Sequence, residues 1–219
     1  MSVGPVNAFA RMDAMYRYQR YIYDATRKFY LLGRDILLER MMISPGQTVA
    51  EIGCGTGRNL EILARRYPDV QFFGLDASAE MLRTARSRTS RLGLRNVTFQ
   101  TALADELDHR TMFGLDEPFD VLFFSYSISM IPTWRESIGK AVANLKPQGR
   151  MYIVDFYDQR DLPFWFRSIL RSWLRAFHVR FWSDLIPYLY KLDRSCCGRL
   201  EISPIARRYA FIASFQKTI

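Results

Sequence analysis

Apolar and polar positions follow two rhythms through the middle of the chain. Runs at 48–52, 70–75, 97–101, 119–124 and 151–156 are short, rich in β-branched and aromatic residues, and bounded by Gly, Pro or Asp, which predicts strands. Between them, 58–67, 79–92 and 134–145 place apolar residues at helical spacing. Pro147 and Gly149 are expected to stop the last of these helices. The alternation predicts a βαβ series, hence an α/β fold with a parallel sheet covered by helices on both faces. After residue 156 the rhythm changes. A long aromatic and basic stretch precedes two late strand candidates, 199–205 and 209–215. There is no internal repeat, low-complexity segment or linker, and 219 residues suit one domain spanning 1–219.

The chemistry starts where the first strand ends. Val49-Ala50-Glu51-Ile52-Gly53-Cys54-Gly55-Thr56-Gly57 runs a buried strand into three alternating glycines and then a helix. Glycines permit the tight turn and let a ligand approach bare backbone. The carboxyl end of such a strand opens onto the crevice where doubly wound sheets bind ligands. Asp76 ends the next strand at a distance along the chain where an acid contacts a ribose diol. The spacing is G-x-G-x-G, not the dinucleotide G-x-G-x-x-G, and no Lys-Ser or Lys-Thr follows as in a P-loop. Glu51 sits two positions ahead of the first glycine.

This arrangement resembles the first motif of S-adenosylmethionine-dependent methyltransferases. The resemblance implies a Rossmann-like seven-stranded fold, mostly parallel with an antiparallel last strand. It makes S-adenosylmethionine the co-substrate and S-adenosylhomocysteine the product. It assigns Glu51, Gly53, Gly55 and Gly57 to the donor loop and Asp76 to the ribose, with Cys54, Asn59, Ala77, Met81, Leu103, Ala104 and Ser125 completing the pocket. One position departs from the pattern. The family often carries Gly-Asp-Ala after the third strand, where this chain has Ala102-Leu103-Ala104 followed by Asp105. Either Asp105 reaches the adenine amino group, or backbone and apolar contacts hold the ring.

Composition limits the remaining possibilities. Hydrophobic residues make up 49% and charged residues 24%, an ordinary globular balance that argues against wholesale disorder. No apolar run reaches the roughly 20 residues of a membrane span, and the first residues lack a secretory pattern, so a cytoplasmic location is expected. The three cysteines are expected to be reduced, and no His/Cys cluster has metal-ligand spacing. Residues 41–155 carry balanced charge, so the net charge of +9 lies in the two ends. A basic surplus favours an anionic membrane or nucleic acid, unless it only solubilises the surface.

Both ends also show helical patterns. Tyr16, Arg20, Tyr23, Arg27, Tyr30 and Arg34 alternate in steps of four and three, which places them on one helix face. The face is either solvated with its rings packed on the domain, or part of a lid over 1–42 that grips an anionic group through arginine. In 163–178, Arg167, Arg171 and Arg175 recur every four residues among Trp, Phe, Ile and Leu. That pattern marks an interfacial helix within a membrane-facing insertion at 157–182, or a core helix with one basic edge.

Tyr16–Asp35 (YRYQRYIYDATRKFYLLGRD), EIGCGTGRN, SYSISMIPTWRE, VDFYDQRDLPFWFR and RRYAF together resemble bacterial betaine-lipid N-methyltransferases. The resemblance implies triple N-methylation of diacylglycerylhomoserine to the trimethylated betaine lipid, with phosphatidylethanolamine as the alternative acceptor. It implies peripheral association with the inner face of the bacterial cell membrane and no nucleic-acid partner. A rival reading, a protein gripping nucleic acid through its basic ends, would show steep salt dependence. For the amine chemistry, Arg20, Arg27 and Arg34 are candidates for holding a carboxylate, with Tyr16 beside them. Tyr23, Tyr30 and Tyr126 could orient the nitrogen. Asp155 or His178 could take its proton, and Tyr209 could line the substrate mouth. The sequence does not set the oligomeric state.

Overall fold

A computed structural model describes residues 31–176, 179–195 and 198–218. Tyr16, Arg20, Tyr23, Arg27, Tyr30, His178, Cys196 and Cys197, each given an expectation above, lie outside the described residues.

The described chain runs α1 (Arg34–Arg40), β1 (Thr48–Ile52), α2 (Arg58–Arg66), β2 (Gln71–Asp76), α3 (Ala79–Arg91), β3 (Val97–Thr101), α4 (His109–Phe113), β4 (Phe119–Ser125), α5 (Trp134–Ala143), β5 (Leu145–Phe156), α6 (Phe164–Ala176), α7 (Leu185–Ser195), β6 (Gly198–Ile205) and β7 (Ala210–Lys217). Short 3-10 turns occupy Ala104–Glu106 and Ile128–Met130. The seven strands form one sheet in the order β3-β2-β1-β4-β5-β7-β6. β7 is antiparallel to both β5 and β6, and every other pairing is parallel.

Alternation along the strands divides the core in two. Val49, Phe72, Val121 and Val154 face one side and pack with Leu37, Leu60, Leu63 and Leu82 from α1, α2 and α3. Ala50, Ile52, Leu75, Leu122 and Phe124 face the other side and meet Trp134 and Ile138 of α5 and Leu185 and Leu189 of α7. A sheet buried on both faces explains the nearly continuous apolar character of β1, β2 and β4.

One expectation needs correction. Residues 145–149 start β5 instead of ending a helix; α5 stops at Ala143, and the β4–β5 register shifts between Phe119 and Val121 to absorb the irregular Pro147–Gly149 stretch. Of the stripe, Arg34 is described: it opens α1, and Gly33 before it has φ +89. Within the 163–178 segment, α6 buries Leu170 and Leu174 on one face and exposes Phe164, Trp165 and Ile169 on the other.

Candidate active site

β1 and β4 are neighbours at the centre of the sheet, and the chain crosses from one side to the other there, leaving a crevice at their carboxyl ends. A cavity of about 330 Å³ opens in this crevice. Gly53, Gly55 and Gly57 all have positive φ, and the loop they form folds over β2. The Gly53 and Cys54 amides donate to the Leu75 carbonyl at 2.7 and 3.0 Å. The Gly55 amide donates to Asp76 Oδ2 at 2.7 Å, and the Ser78 amide to Asp76 Oδ1 at 2.9 Å. Asp76 is thereby fixed at the cavity wall, and a carboxylate oxygen that accepts one amide can still accept a hydroxyl of a diol.

At the other end of the loop, Asn59 Nδ2 donates to Glu51 Oε1 at 2.6 Å, deep beneath the glycines. Among the described residues, Asn59 Oδ1 and Ser125 Oγ are buried without a hydrogen-bond partner, and both residues line the cavity. Buried polar atoms of this kind call for a ligand donor, and the ammonium of a bound methionine moiety supplies one. The residues present therefore fit S-adenosylmethionine: a carboxylate for the ribose, oxygen acceptors for the ammonium, and an apolar slot for the adenine.

The cavity takes in most of the sequence-derived donor set: Glu51, Gly53, Cys54, Gly55, Asn59, Asp76, Ala77, Met81, Leu103, Ala104 and Ser125. Gly57 is not at the wall. Its role is local: a Cβ there would meet Ala85 at 2.9 Å and the Phe99 ring at 3.2 Å, so α2 could not start against α3. Burial, and then the neighbouring Asp76 charge, push the Cys54 thiol well above its ordinary range, so Cys54 is an inert packing residue. Asp105 also lines the cavity. The Leu103 amide is engaged by Glu106 Oε2 at 3.0 Å, which withdraws that backbone donor from the adenine side.

The acceptor side was less visible in the sequence. Leu31, Ser127, Met130, Ile131, Pro132 and Thr133 line it; they fall in the Tyr16–Asp35 and SYSISMIPTWRE stretches, but none of them was given a role from the sequence. Arg34 lines it too and is only 7% exposed. Its Nε lies 3.9 Å from Asp35 Oδ1, which is itself bonded by Arg58 at 3.0 Å. A Cβ on neighbouring Gly33 would come within 3.5 Å of Val154 and Ile205, so the turn before α1 packs against β5 and β6.

Tyr126, Asp155 and Tyr209 gather behind this wall. Tyr126 reaches the cavity, with φ +56, and its hydroxyl donates to the Leu32 carbonyl. Burial, with Tyr209 and Asp155 nearby, pushes that phenol well above its ordinary range. Asp155 and Tyr209 do not line the cavity. Asp155 is buried and accepts the Ser129 amide at 2.9 Å and the Phe156 amide at 2.8 Å. Tyr209 is buried against Phe156, with ring centroids 5.8 Å apart, and burial raises its phenol as well. Both thus sit behind the residues that line the cavity.

A methyltransferase-domain family model matches residues 43–196. Trans-aconitate 2-methyltransferase of Afipia carboxidovorans is 33% identical over 130 residues, covering 59% of this chain and 46% of that protein. The same enzyme of Rhodopseudomonas palustris is 28% identical over 177 residues, covering 77% and 64%. This chain thus spans less than two thirds of the length of either relative. An S-adenosylmethionine-dependent methyltransferase structure from Aquifex aeolicus superposes with a TM-score of 0.63 at 17% identity, covering 99% of this chain and 100% of that one, which shows a common fold.

These relatives overturn the betaine-lipid resemblance and, with it, N-methylation of a lipid headgroup, whether homoserine or ethanolamine. The relatives are named for a small acid. Of the five stretches that carried the resemblance, EIGCGTGRN belongs to donor binding and holds no information about the acceptor, and the others do not outweigh the named relatives. Seven strands in this order, a carboxylate beside three left-handed glycines at the cavity wall and a match over 43–196 lead to one conclusion: the chain belongs to the methyltransferase-domain family.

Proposed function

We propose that this enzyme methylates a carboxylate of a small organic acid, giving a methyl ester. The observation that carries the reading is Arg34, a buried guanidinium at the acceptor wall of the cavity. Beside its contact with Asp35, the planar fork of this guanidinium offers further N–H donors that suit a substrate carboxylate. A polyacid can offer one carboxylate to Arg34 and present another for reaction. The relatives' name, trans-aconitate 2-methyltransferase, agrees with such an acceptor.

The proton inventory supports the same reading. Glu51 is tied to Asn59, and Asp76 accepts two backbone amides. Asp105 lies beyond the ribose, on the adenine side, and Tyr126 is a weakened acid that donates to Leu32. No described group on the acceptor side is suited to take a proton. A carboxylate needs none removed at neutral pH, because it arrives as the nucleophile. Bound S-adenosylmethionine supplies an electrophilic methyl carbon on a sulfonium. The acceptor oxygen forms the new O–C bond as the C–S bond breaks, and that pair of electrons stays on sulfur as a neutral thioether. The protein's part is alignment and exclusion of water, through Arg34, Ser127 and the Met130–Thr133 wall.

The test is methyl transfer from labelled S-adenosylmethionine to a panel of di- and tricarboxylic acids, trans-aconitate included, followed by mild alkali. Methyl esters release the label as volatile methanol, whereas N-methyl groups keep it. Arg34→Gln should raise the acceptor KM about 10- to 100-fold, the equivalent of one charge-assisted contact. Alkali-stable label, or a KM change confined to the donor, overturns the reading.

A further inference from the structure

We infer that the first turns of α6 form a docking surface for an anionic lipid bilayer. Phe164 is 76% exposed, Trp165 66% and Ile169 63%, and all three lie within the first six residues of the helix. Large apolar side chains on a monomer's surface are ordinary when scattered, but these are adjacent and share one side of α6. Leu170 and Leu174, on the opposite side, are buried in the core and hold the helix against the body. The exposed side is therefore not a core face left open by chance. It is the outer side of an anchored helix.

The charge around it selects the occupant. Residues 159–182 hold five arginines and a single acid, Asp161, with no lysine or glutamate. Arg171 and Arg175 are exposed along one border of the apolar side, and Arg167 stacks 5.8 Å from the Phe164 ring. Aromatic and aliphatic groups at the centre, with guanidinium groups at the edge, match a leaflet with an apolar interior and anionic headgroups. No described helix is long and apolar enough to cross a membrane, so the contact is peripheral. Such a leaflet faces the cytoplasm, where we place the enzyme's action. The segment after α6 is tied to the cavity wall, with the Arg180 amide on the Ser129 carbonyl at 2.9 Å and Trp182 Nε1 on the Ile128 carbonyl at 3.0 Å. Docking through α6 thus fixes how the cavity is oriented to the surface. The inference does not depend on which acceptor is methylated.

The experiment is flotation of the full chain with vesicles of phosphatidylcholine alone or of equal parts phosphatidylcholine and phosphatidylglycerol. The wild-type protein should float only with the anionic vesicles, and the combined F164S/W165S/I169S variant should remain behind. R167Q/R175Q should lose roughly fivefold in partitioning per arginine removed. Thermal melting and gel filtration of each variant separate lost docking from lost folding. A wild-type protein that does not float, or a triple variant that floats as well, overturns the inference. So does a wild-type dimer that the triple substitution converts to a monomer without any effect of vesicles, because the patch would then join two copies of the chain.

Discussion

The Asp155 carboxylate accepts the Ser129 amide at 2.9 Å, so the turn that supplies Met130 to the cavity hangs from the last parallel strand. Burial raises this carboxyl from its ordinary value to about 6, while the Ser129 and Phe156 amides pull the other way and only partly offset it. A folded-state value above the unfolded one means that the folded protein holds this proton more tightly. Its contribution to stability is complete below the unfolded value near 4 and is lost as pH rises through about 6. Asp155→Asn removes that dependence. The stability advantage of wild type over the variant should shrink by roughly 3 kcal/mol between pH 4 and pH 7, because each tenfold change in proton affinity is worth about 1.4 kcal/mol. Urea midpoints at four pH values check this, and parallel curves for the two proteins would refute it.

Gly53 tests the donor loop. Its φ of +75 disfavours any side chain, and a Cβ would lie 2.5 Å from the Ser127 Cβ. Ser127 cannot step aside cheaply, because its hydroxyl donates to the Ile52 carbonyl at 2.8 Å. Gly53→Ala should therefore cost about 2–5 kcal/mol of stability, combining backbone strain and overpacking. It should also weaken S-adenosylhomocysteine binding more than tenfold. Gly46→Ala is the control. Its φ is +79 with nothing within 4 Å, so it should show the backbone cost alone and leave binding unchanged. Calorimetric titration of both variants decides the matter; equal behaviour would mean that the contact with Ser127 is irrelevant.

The adenine side yields a second binding prediction. Leu103 stands where the family often has an acid, and its amide is already used by Glu106. Asp105 lines the same part of the cavity and is the described acid that can accept from an exocyclic amine there. Asp105→Ala should weaken donor binding about tenfold, the loss expected for one hydrogen bond to a charged acceptor. An unchanged dissociation constant would leave the ring to apolar contacts alone.

The sheet and the donor site were legible because each is written locally. Five strands and three helices follow from periodicity, and the Glu51–Gly57 loop with Asp76 marks the ligand end of the central strands. Of the acceptor wall, Arg34 and Tyr126 were named from the sequence and the rest was not legible. Ser127, Met130 and Pro132 reach the cavity only because β4 ends beside β1, a relation of topology and not of spacing. Helix α7 was missed because Leu185–Ser195 carries Pro187 in its first turn within an aromatic and basic stretch. Proline is tolerated there, where the first amides lack intrahelical partners. Asp155 drew a catalytic reading because it ends a strand beside the crevice. Its side chain accepts the Ser129 and Phe156 amides, a tertiary contact that the sequence does not display.

The hairpin between β6 and β7 stores strain that can be released at one position and not at the next. Ala206, Arg207 and Arg208 have φ of 46, 54 and 58, three consecutive left-handed residues without a glycine. Each costs roughly 1–2 kcal/mol relative to ordinary backbone. Arg208 has a compensating role: its Nε donates to Asp158 Oδ1 at 2.7 Å, and its guanidinium lies 4.1 Å from the Tyr157 ring centroid. That clamp holds the loop leading to α6. Arg207 is exposed. Replacing it with glycine removes the left-handed cost, though part of the gain returns as greater freedom of the unfolded chain. Arg207→Gly should therefore raise stability by about 0.5–1 kcal/mol. Arg208→Gly relieves the same strain but loses the ion pair and the ring contact, together worth about 1–2 kcal/mol at this partly exposed site. It should be neutral or destabilising. Thermal melts of the two variants give opposite signs if the clamp supports the fold, and a shared increase in melting temperature would show that Asp158 gains nothing from Arg208.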